Sequence, residues 1–239
     1  MLYRIERFRL LDSTNEYLKE LAESGAPEGT VIIAAEQTAG KGRRGRSWAS
    51  PPGGAWFSVL LRPPLSVEQA GCIAILVAVS LARALRERWG VPVGVKWPND
   101  LYVNNKKLGG ILVELSSQAH QIQWLIAGIG INVNNELPTR LPATSLLCEL
   151  GRAIALDEFF EVALEALARD YERFLSEGCE FVRTAWQQLS VLPQRIGVLK
   201  GAEKFEAEVL GLSEFGRLVV RMAEGVRELA SEEVTVCPQ

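Results

Sequence analysis

"AGKGRRGRSW", residues 39–48, places four cationic side chains and three glycines in ten positions. It lies between two short apolar runs, "TVIIAAEQ" (30–37) and "AWFSVLL" (55–61). Both runs are rich in β-branched and aromatic residues and read as strands. Gly40, Gly42 and Gly45 spell G-x-G-x-x-G, but a dinucleotide fold needs a helix straight after that loop. Here "SWASPPGG" (47–54) follows, which no helix tolerates. A Walker A loop fails too, because Lys41 is followed by Gly42 and position 35 is alanine. What remains is a strand–loop–strand unit whose pliable loop carries planar cationic donors suited to phosphate or carboxylate. Trp48 adds an aromatic face beside them. A solvated basic turn explains the same residues.

The wider composition favours a local anion site over a polyanion surface. Lys and Arg number 26 against 29 Asp and Glu, a net charge of -3, whereas nucleic-acid binders usually carry a basic excess. The N-terminal "MLYRIERFRLLDSTN" has no uninterrupted apolar core, so no signal peptide is expected. The most apolar stretch, Ile73 to Ala82, is about half of the ~20 residues that span a bilayer and reads as a buried helix. Cys72, Cys148, Cys179 and Cys237 are far apart and form no C-x-x-C pair. Reduced thiols in a cytoplasm are therefore expected, not a disulfide or zinc framework. The single histidine, His120, sits in polar "SSQAHQ" and reads as a solvated turn residue.

Working outward, "LDSTNEYLKELAESG" (11–25) reads as a helix with a Ser13/Glu16 capping box and Gly25 at its end. Val67 to Trp89 has helical spacing and stops at Gly90. "VGVKWPNDLYV", "KKLGGILVELS" and "QIQWLIAGIGINV" are three β-rich runs, and Asn104-Asn105 favours a tight hairpin between the first two. Pro98 forces Trp97 to be extended, and Asn99-Asp100 turns the chain, gathering Lys96, an amide and a carboxylate. Gly109-Gly110 and the glycines of "GIGIN" (128–132) interrupt strands where a ligand or another backbone comes close. "DEFFEVALEALARDYERFL" is an amphipathic helix with Asp157 expected as N-cap. After Pro193 five short strands separated by Gly or polar turns suggest a small barrel.

Taken together, "DSTN", "EQTAGKGRRGRSW", "KWPNDL", "KLGGILVE" and "GIGINV", in this order across roughly residues 10 to 134, resemble the biotin–protein ligase family. The resemblance implies an α+β fold. Residues 1–190 would form a catalytic domain with a mixed or antiparallel central sheet flanked by helices, like class II synthetases. Residues 191–239 would form an SH3-like barrel. Because "DSTN" lies so near the start, no winged-helix DNA-binding domain is expected before it. The implied reaction joins biotin's carboxylate to ATP as biotinyl-5'-AMP, with Mg²⁺, and then transfers biotin to a lysine of a biotin carboxyl carrier protein. No DNA or membrane partner is expected; a homodimer is left open.

By motif match Arg43 clamps carboxylate and phosphates, Arg44 and Arg46 shape the loop, and Lys107 lies between biotin's carboxyl and the α-phosphate. Ser13, Thr14, Asn15 and Gln37 hold biotin's head, and Gly40, Gly110, Leu112 and Gly128 line its slot. Trp48 packs on adenine. Asp100 and Asn132 lie near the phosphates and metal. Ser13 thus has two competing roles, helix cap and ligand contact. Lys41 stands where many members have Arg, and Cys237 stands where some end in a basic residue. A lipoate- or octanoate-transferring relative and, from another class, a nucleic-acid-binding module are the rival readings.

Overall fold

The computed structural model describes residues 1–137, 142–200, 203–231 and 234–237. Its centre is a mixed seven-stranded sheet in the order β1-β2-β3-β7-β6-β5-β4. The strands are β1 (Arg4–Phe8), β2 (Thr30–Ala34), β3 (Ala55–Leu61), β4 (Gly94–Lys96), β5 (Asp100–Val103), β6 (Lys106–Gln118) and β7 (Gln121–Ile131). β1 runs parallel to β2 and every other neighbouring pair is antiparallel. β1 escaped the sequence reading because it is an edge strand with four exposed residues, so it lacks the apolar alternation of a half-buried strand.

Two helical layers cover the sheet. On one face lies α1 (Thr14–Glu23), whose Leu18 and Ala22 pack on Ile32, Leu60, Trp124 and Ile126. On the other lie α2 (Ala70–Trp89), α4 (Leu156–Glu177) and α5 (Cys179–Leu189), over Val31, Phe57, Val59, Ile111 and Ile129. A short α3 (Leu146–Leu150) follows the sheet. The apolar run around Ile73 extends further than its ten most apolar residues: Val67–Trp89 is long and apolar enough to cross a membrane by length and composition. In this fold Ile73, Leu76, Val79 and Leu81 are buried in the core, and Gly90 ends the helix in a left-handed cap (φ 69°).

Two helix starts differ from expectation. Ser13 is the N-cap residue of α1, yet its side chain makes no capping bond, and Glu16 reaches out to Lys41 instead. Asp157 lies inside the first turn of α4, whose N-cap is Ala155. There it pairs with Arg7 of β1 at 2.8 Å and complements the helix dipole. The tight turns do follow the sequence: Asn104 and Asn105 both take positive φ, as do Ala119 and His120, the arrangement of a two-residue hairpin turn. His120 is exposed.

The C-terminal strands β8 (Arg195–Lys200), β9 (Glu203–Leu212), β10 (Leu218–Met222), β11 (Gly225–Leu229) and β12 (Val234–Cys237) form an antiparallel sheet in the order β11-β10-β9-β8-β12, as expected for a small SH3-like unit. Their Ile196, Val198, Leu218 and Val220 belong to the same apolar cluster as Phe57 and Leu76. Trp97 donates its indole N–H to the Gly216 carbonyl at 3.0 Å, and Arg183 donates to the Leu212 carbonyl at 2.8 Å.

The cysteine expectation is overturned. Cys72 of α2 and Cys179 of α5 form a disulfide across a separation of 107 residues, with Cα atoms 6.1 Å apart. Sequence spacing could not reveal it, because only the packing of α5 on α2 brings the pair within bonding reach. Cys148 is an exposed thiol.

Candidate active site

The β3–β7–β6 register builds a floor. Side chains alternate across a strand, so facing residues form rows on one side of the sheet. One row on the α1 side runs Trp56–Gly130–Gly110–Asp100, and the next runs Ser58–Gly128–Leu112. The glycines leave room for side chains coming from above. A Cβ on Gly128 would stand 2.1 Å from Asn15 Oδ1, and one on Gly130 would stand 2.6 Å from Trp48 Nε1. Gly109, the other half of the glycine pair, faces the opposite side, where its Cβ would meet Ile131.

A cavity of about 520 Å³ stands on this floor, within the usual size range for small-molecule sites. Every sequence-predicted site residue lines it except Gly40. Gly40 is buried one step back, where its carbonyl accepts from Trp48 N–H at 2.8 Å and a Cβ would collide with Trp48 O. Its lack of a side chain closes the loop instead of touching a ligand.

The inner end of the cavity is lined by uncharged hydrogen-bonding groups. Thr14 N–H donates to Gln37 Oε1 at 2.8 Å, and Gln37 Nε2 donates to Ser50 Oγ at 2.8 Å. Asn15 Nδ2 donates to Glu114 Oε2 at 2.6 Å. Ser58 Oγ lies between Thr14 Oγ1 and Asn15 Oδ1, at 2.7 and 2.6 Å. Thr14, Asn15 and Ser13 are each at most 4% exposed. Ser13's hydroxyl, with no capping duty, remains on the cavity wall.

The outer end is cationic. Lys107 reaches the cavity because of a bulge in the β5–β6 pairing between Leu101 and Tyr102. The extra residue lets Leu108 face the core and returns Lys107 to the side of Gly110. Its ammonium pairs with Asp100 Oδ1 at 2.7 Å and lies 5.1 Å from the Trp48 ring centroid. Lys106, its neighbour, is exposed. Above them stands the glycine-arginine loop. Arg44 takes a left-handed conformation (φ 58°), as does Gly45 (φ 70°). Arg43 donates to Asn99 Oδ1 at 3.4 Å and to the Ser231 carbonyl at 2.8 Å. Arg44 donates to the Ser231 and Val234 carbonyls at 3.2 and 2.9 Å. The C-terminal sheet therefore does touch the site, through backbone carbonyls; the Cys237 side chain lies outside the described residues. Arg46 lines the cavity from the loop's far end. Lys41 is tied to Glu16 of α1; that hydrogen bond first, and the lysine charge after it, hold the Glu16 carboxyl below the usual carboxylate range. Burial, then the Asp100 charge, push the Tyr102 phenol upward.

The expected metal ligands do not form a protein cage. Asp100 is engaged by Lys107, and Asn132 donates to the Thr144 carbonyl and accepts from Asn135, both at 3.1 Å. Among the described residues no three His, Cys, Asp or Glu side chains converge on a metal position. Trp48 Nε1 is buried with no hydrogen-bond partner. The sequence reading missed Ser58, Glu114 and the tail carbonyls, and it gathered Asn99 with Lys96 and Asp100 without giving it a role. Ser58 had a visible signal, as the lone hydroxyl in the apolar run "AWFSVLL"; the carbonyls had none.

The chain is similar to known proteins over most of its length. Residues 7–132 match the model of the biotin/lipoate A/B protein ligase family. The bifunctional ligase/repressor BirA of Bacillus subtilis is 33% identical, over 94% of this chain and 71% of that protein. The biotin–[acetyl-CoA-carboxylase] ligase of Paracoccus denitrificans is 31% identical, over 93% of this chain and 96% of its own. Among solved structures, biotin protein ligase from Aquifex aeolicus in complex with biotin and ATP superposes with a TM-score of 0.86, 31% identity and complete coverage of both chains. On these matches the chain belongs to the biotin/lipoate A/B protein ligase family.

Proposed function

We infer that this chain is an ATP-dependent biotin–protein ligase that makes biotinyl-5'-AMP and passes the biotinyl group to a lysine of a biotin carrier protein. The observation that carries this reading is the polarity of one cavity: an uncharged hydrogen-bonding nest at Thr14, Asn15 and Gln37, and a cationic mouth at Lys107, Arg43, Arg44 and Arg46. Biotin has that polarity, a ureido head at one end and a carboxylate at the other. Its lipoate or octanoate rivals have an apolar head. Seating one against Thr14, Asn15 and Gln37 would take their cavity-facing lone pairs out of water without giving them a donor, which costs up to about 1–3 kcal/mol for each.

In the first step a biotin carboxylate oxygen bonds to the α-phosphorus of ATP, and the bond to pyrophosphate breaks. Both reactants are anions, so the barrier is one of approach and charge. The residues counter it by position: Lys107, held by Asp100 and the Trp48 face, stands where carboxylate and α-phosphate meet, and the three arginines sit over the outer phosphates. Trp48 offers its face to adenine. A magnesium ion bound to the triphosphate would spread the phosphate charge, with Asp100 and Asn132, each also engaged within the protein, as the side chains that would stand beside it. In the second step the carrier's lysine amine attacks the acyl carbon and AMP leaves. Neither step needs a protein nucleophile.

We take residues 1–190 as the catalytic unit and 191–239 as a barrel that completes the mouth through Ser231 and Val234. A nucleic-acid partner is not proposed, because the net charge is -3 and the clustered cations face the cavity. We take the cytoplasm, where ATP is abundant, as the place of the reaction. The test is incubation with MgATP and labelled biotin, lipoate or octanoate. Pyrophosphate release and an acyl-adenylate with biotin alone are expected. Adenylate from lipoate but not biotin would overturn the assignment.

A further inference from the structure

We propose that Ser58 is a positioning residue that turns the Thr14 hydroxyl into a hydrogen-bond acceptor toward the ligand, so that the inner end of the cavity selects an N–H donor. This rests on the biotin reading and adds to it a residue behind the cavity wall that decides the direction of hydrogen bonding.

Ser58 is fully buried on β3 and lies behind Thr14 and Asn15. A serine hydroxyl has one proton, yet it lies within 2.7 Å of two oxygens, Thr14 Oγ1 and Asn15 Oδ1. The amide of Asn15 is not at liberty to turn round. Its nitrogen donates to Glu114 Oε2, 2.6 Å away, and turning the amide round would give up that bond and set oxygen against oxygen. Asn15 Oδ1 is therefore the acceptor facing Ser58, and it lies so close over Gly128 that nothing else fits between. It takes the Ser58 proton.

With that proton committed, the 2.7 Å contact between Ser58 and Thr14 is a hydrogen bond only if Thr14 supplies the proton. Thr14's other neighbour, Gln37 Oε1, is further away at 3.1 Å and already receives the Thr14 backbone N–H at 2.8 Å. The order of protons along the string is then Thr14 to Ser58 to Asn15. Thr14 Oγ1 has only lone pairs left for the cavity. Gln37 Oε1 is an acceptor as well, so the Thr14–Gln37 stretch of the wall accepts and does not donate. A cyclic urea N–H matches it; an oxygen or a methylated nitrogen in the same place does not.

The test is a double-mutant cycle read as ligand discrimination. Kd is measured by calorimetry for biotin and for biotin methylated on either ureido nitrogen, alongside KM and kcat for adenylate formation. Ser58→Ala releases the Thr14 proton. It is expected to raise KM for biotin about tenfold, the worth of roughly one hydrogen bond, with kcat little changed. It is also expected to shrink the preference for biotin over the methylated analogue. In a Thr14→Val background, Ser58→Ala should leave that preference where it was, since the hydroxyl it steers is gone. Should Ser58→Ala fail to fold, Ser58→Cys carries the same test, because a thiol sulfur of similar shape is a weak acceptor for the Thr14 proton. An unchanged preference in the single variant, or strictly additive effects of the two substitutions, overturns the proposal. Wild-type protein that makes no adenylate from biotin instead overturns the assignment of function, so the two failures are distinct.

Discussion

β3 and β7 do opposite work on their two faces. Toward α2 they present Phe57, Val59, Ile129 and Ile131, all within the main apolar core. Toward α1 and the glycine-arginine loop the same strands present Ser58, Gly128 and Gly130. A glycine in a strand contributes no packing and costs backbone entropy. The floor is therefore a weak surface carried by a strong one, one residue out of phase. At the cavity, between Phe57 and Ser58 or Gly128 and Ile129, stability and ligand recognition can be changed separately by choosing the parity of the residue.

The largest effect should come from the strong face. Phe57→Ala is expected to lower unfolding free energy by about 3–5 kcal/mol through the cavity it leaves, with biotin affinity of the folded protein nearly unchanged. Its mirror is Gly128→Ala, whose methyl would sit 2.1 Å from Asn15 Oδ1 and should weaken biotin far more than it weakens the fold. Denaturant melts beside calorimetry check both. If affinity and stability fall together in each variant, the two faces are not independent.

A second contrast lies within one strand start. Lys107→Ala should slow adenylate formation roughly 10²–10³-fold, by analogy with loss of a positioned charge-stabilising donor, and should reduce biotin binding much less. Lys106→Ala, on the exposed side of the same bulge, should change stability by no more than about 0.5 kcal/mol and leave the rate intact. Similar rates for the two variants would remove Lys107 from the chemistry. Lys107→Arg should recover little, because a planar fork does not replace a compact charge in a tight slot.

The smallest effect concerns the loop's tether. Lys41 and Glu16 are both around half exposed, so their pair contributes no more than about 1 kcal/mol. The sign follows from Glu16, whose carboxyl is held below the usual range by its hydrogen bond to Lys41. The contribution is present above the ordinary carboxylate pKa and is lost as pH falls through the lowered folded value. Wild type should melt slightly higher than Glu16→Gln at neutral pH, and the gap should close in acid. A gap of the same size at pH 3 would assign it to something other than the ion pair.

The amino-acid sequence by itself carried most of the elements and the motifs of the site. Apolar periodicity marked β2, β3, β6, β7, α2 and α4. The prolines after Trp48 excluded a nucleotide-binding helix, and the glycines of "KLGGILVE" and "GIGINV" pointed to a ligand floor. These are local signals, written within about one element's length of chain. What required the tertiary structure was every property that depends on which residues meet. The bulge that turns Lys107 inward is a matter of strand register. The Cys72–Cys179 bond depends on α5 lying against α2. The hold of the Ser231 and Val234 carbonyls on Arg43 and Arg44 spans more than 180 residues. Ser13's exclusion from capping and Ser58's place behind Thr14 were decided when α1 settled over β3. Periodicity tells a residue which side of its own strand or helix it will occupy; it says nothing about what stands opposite, because pairing partners are chosen by the packing of the whole chain.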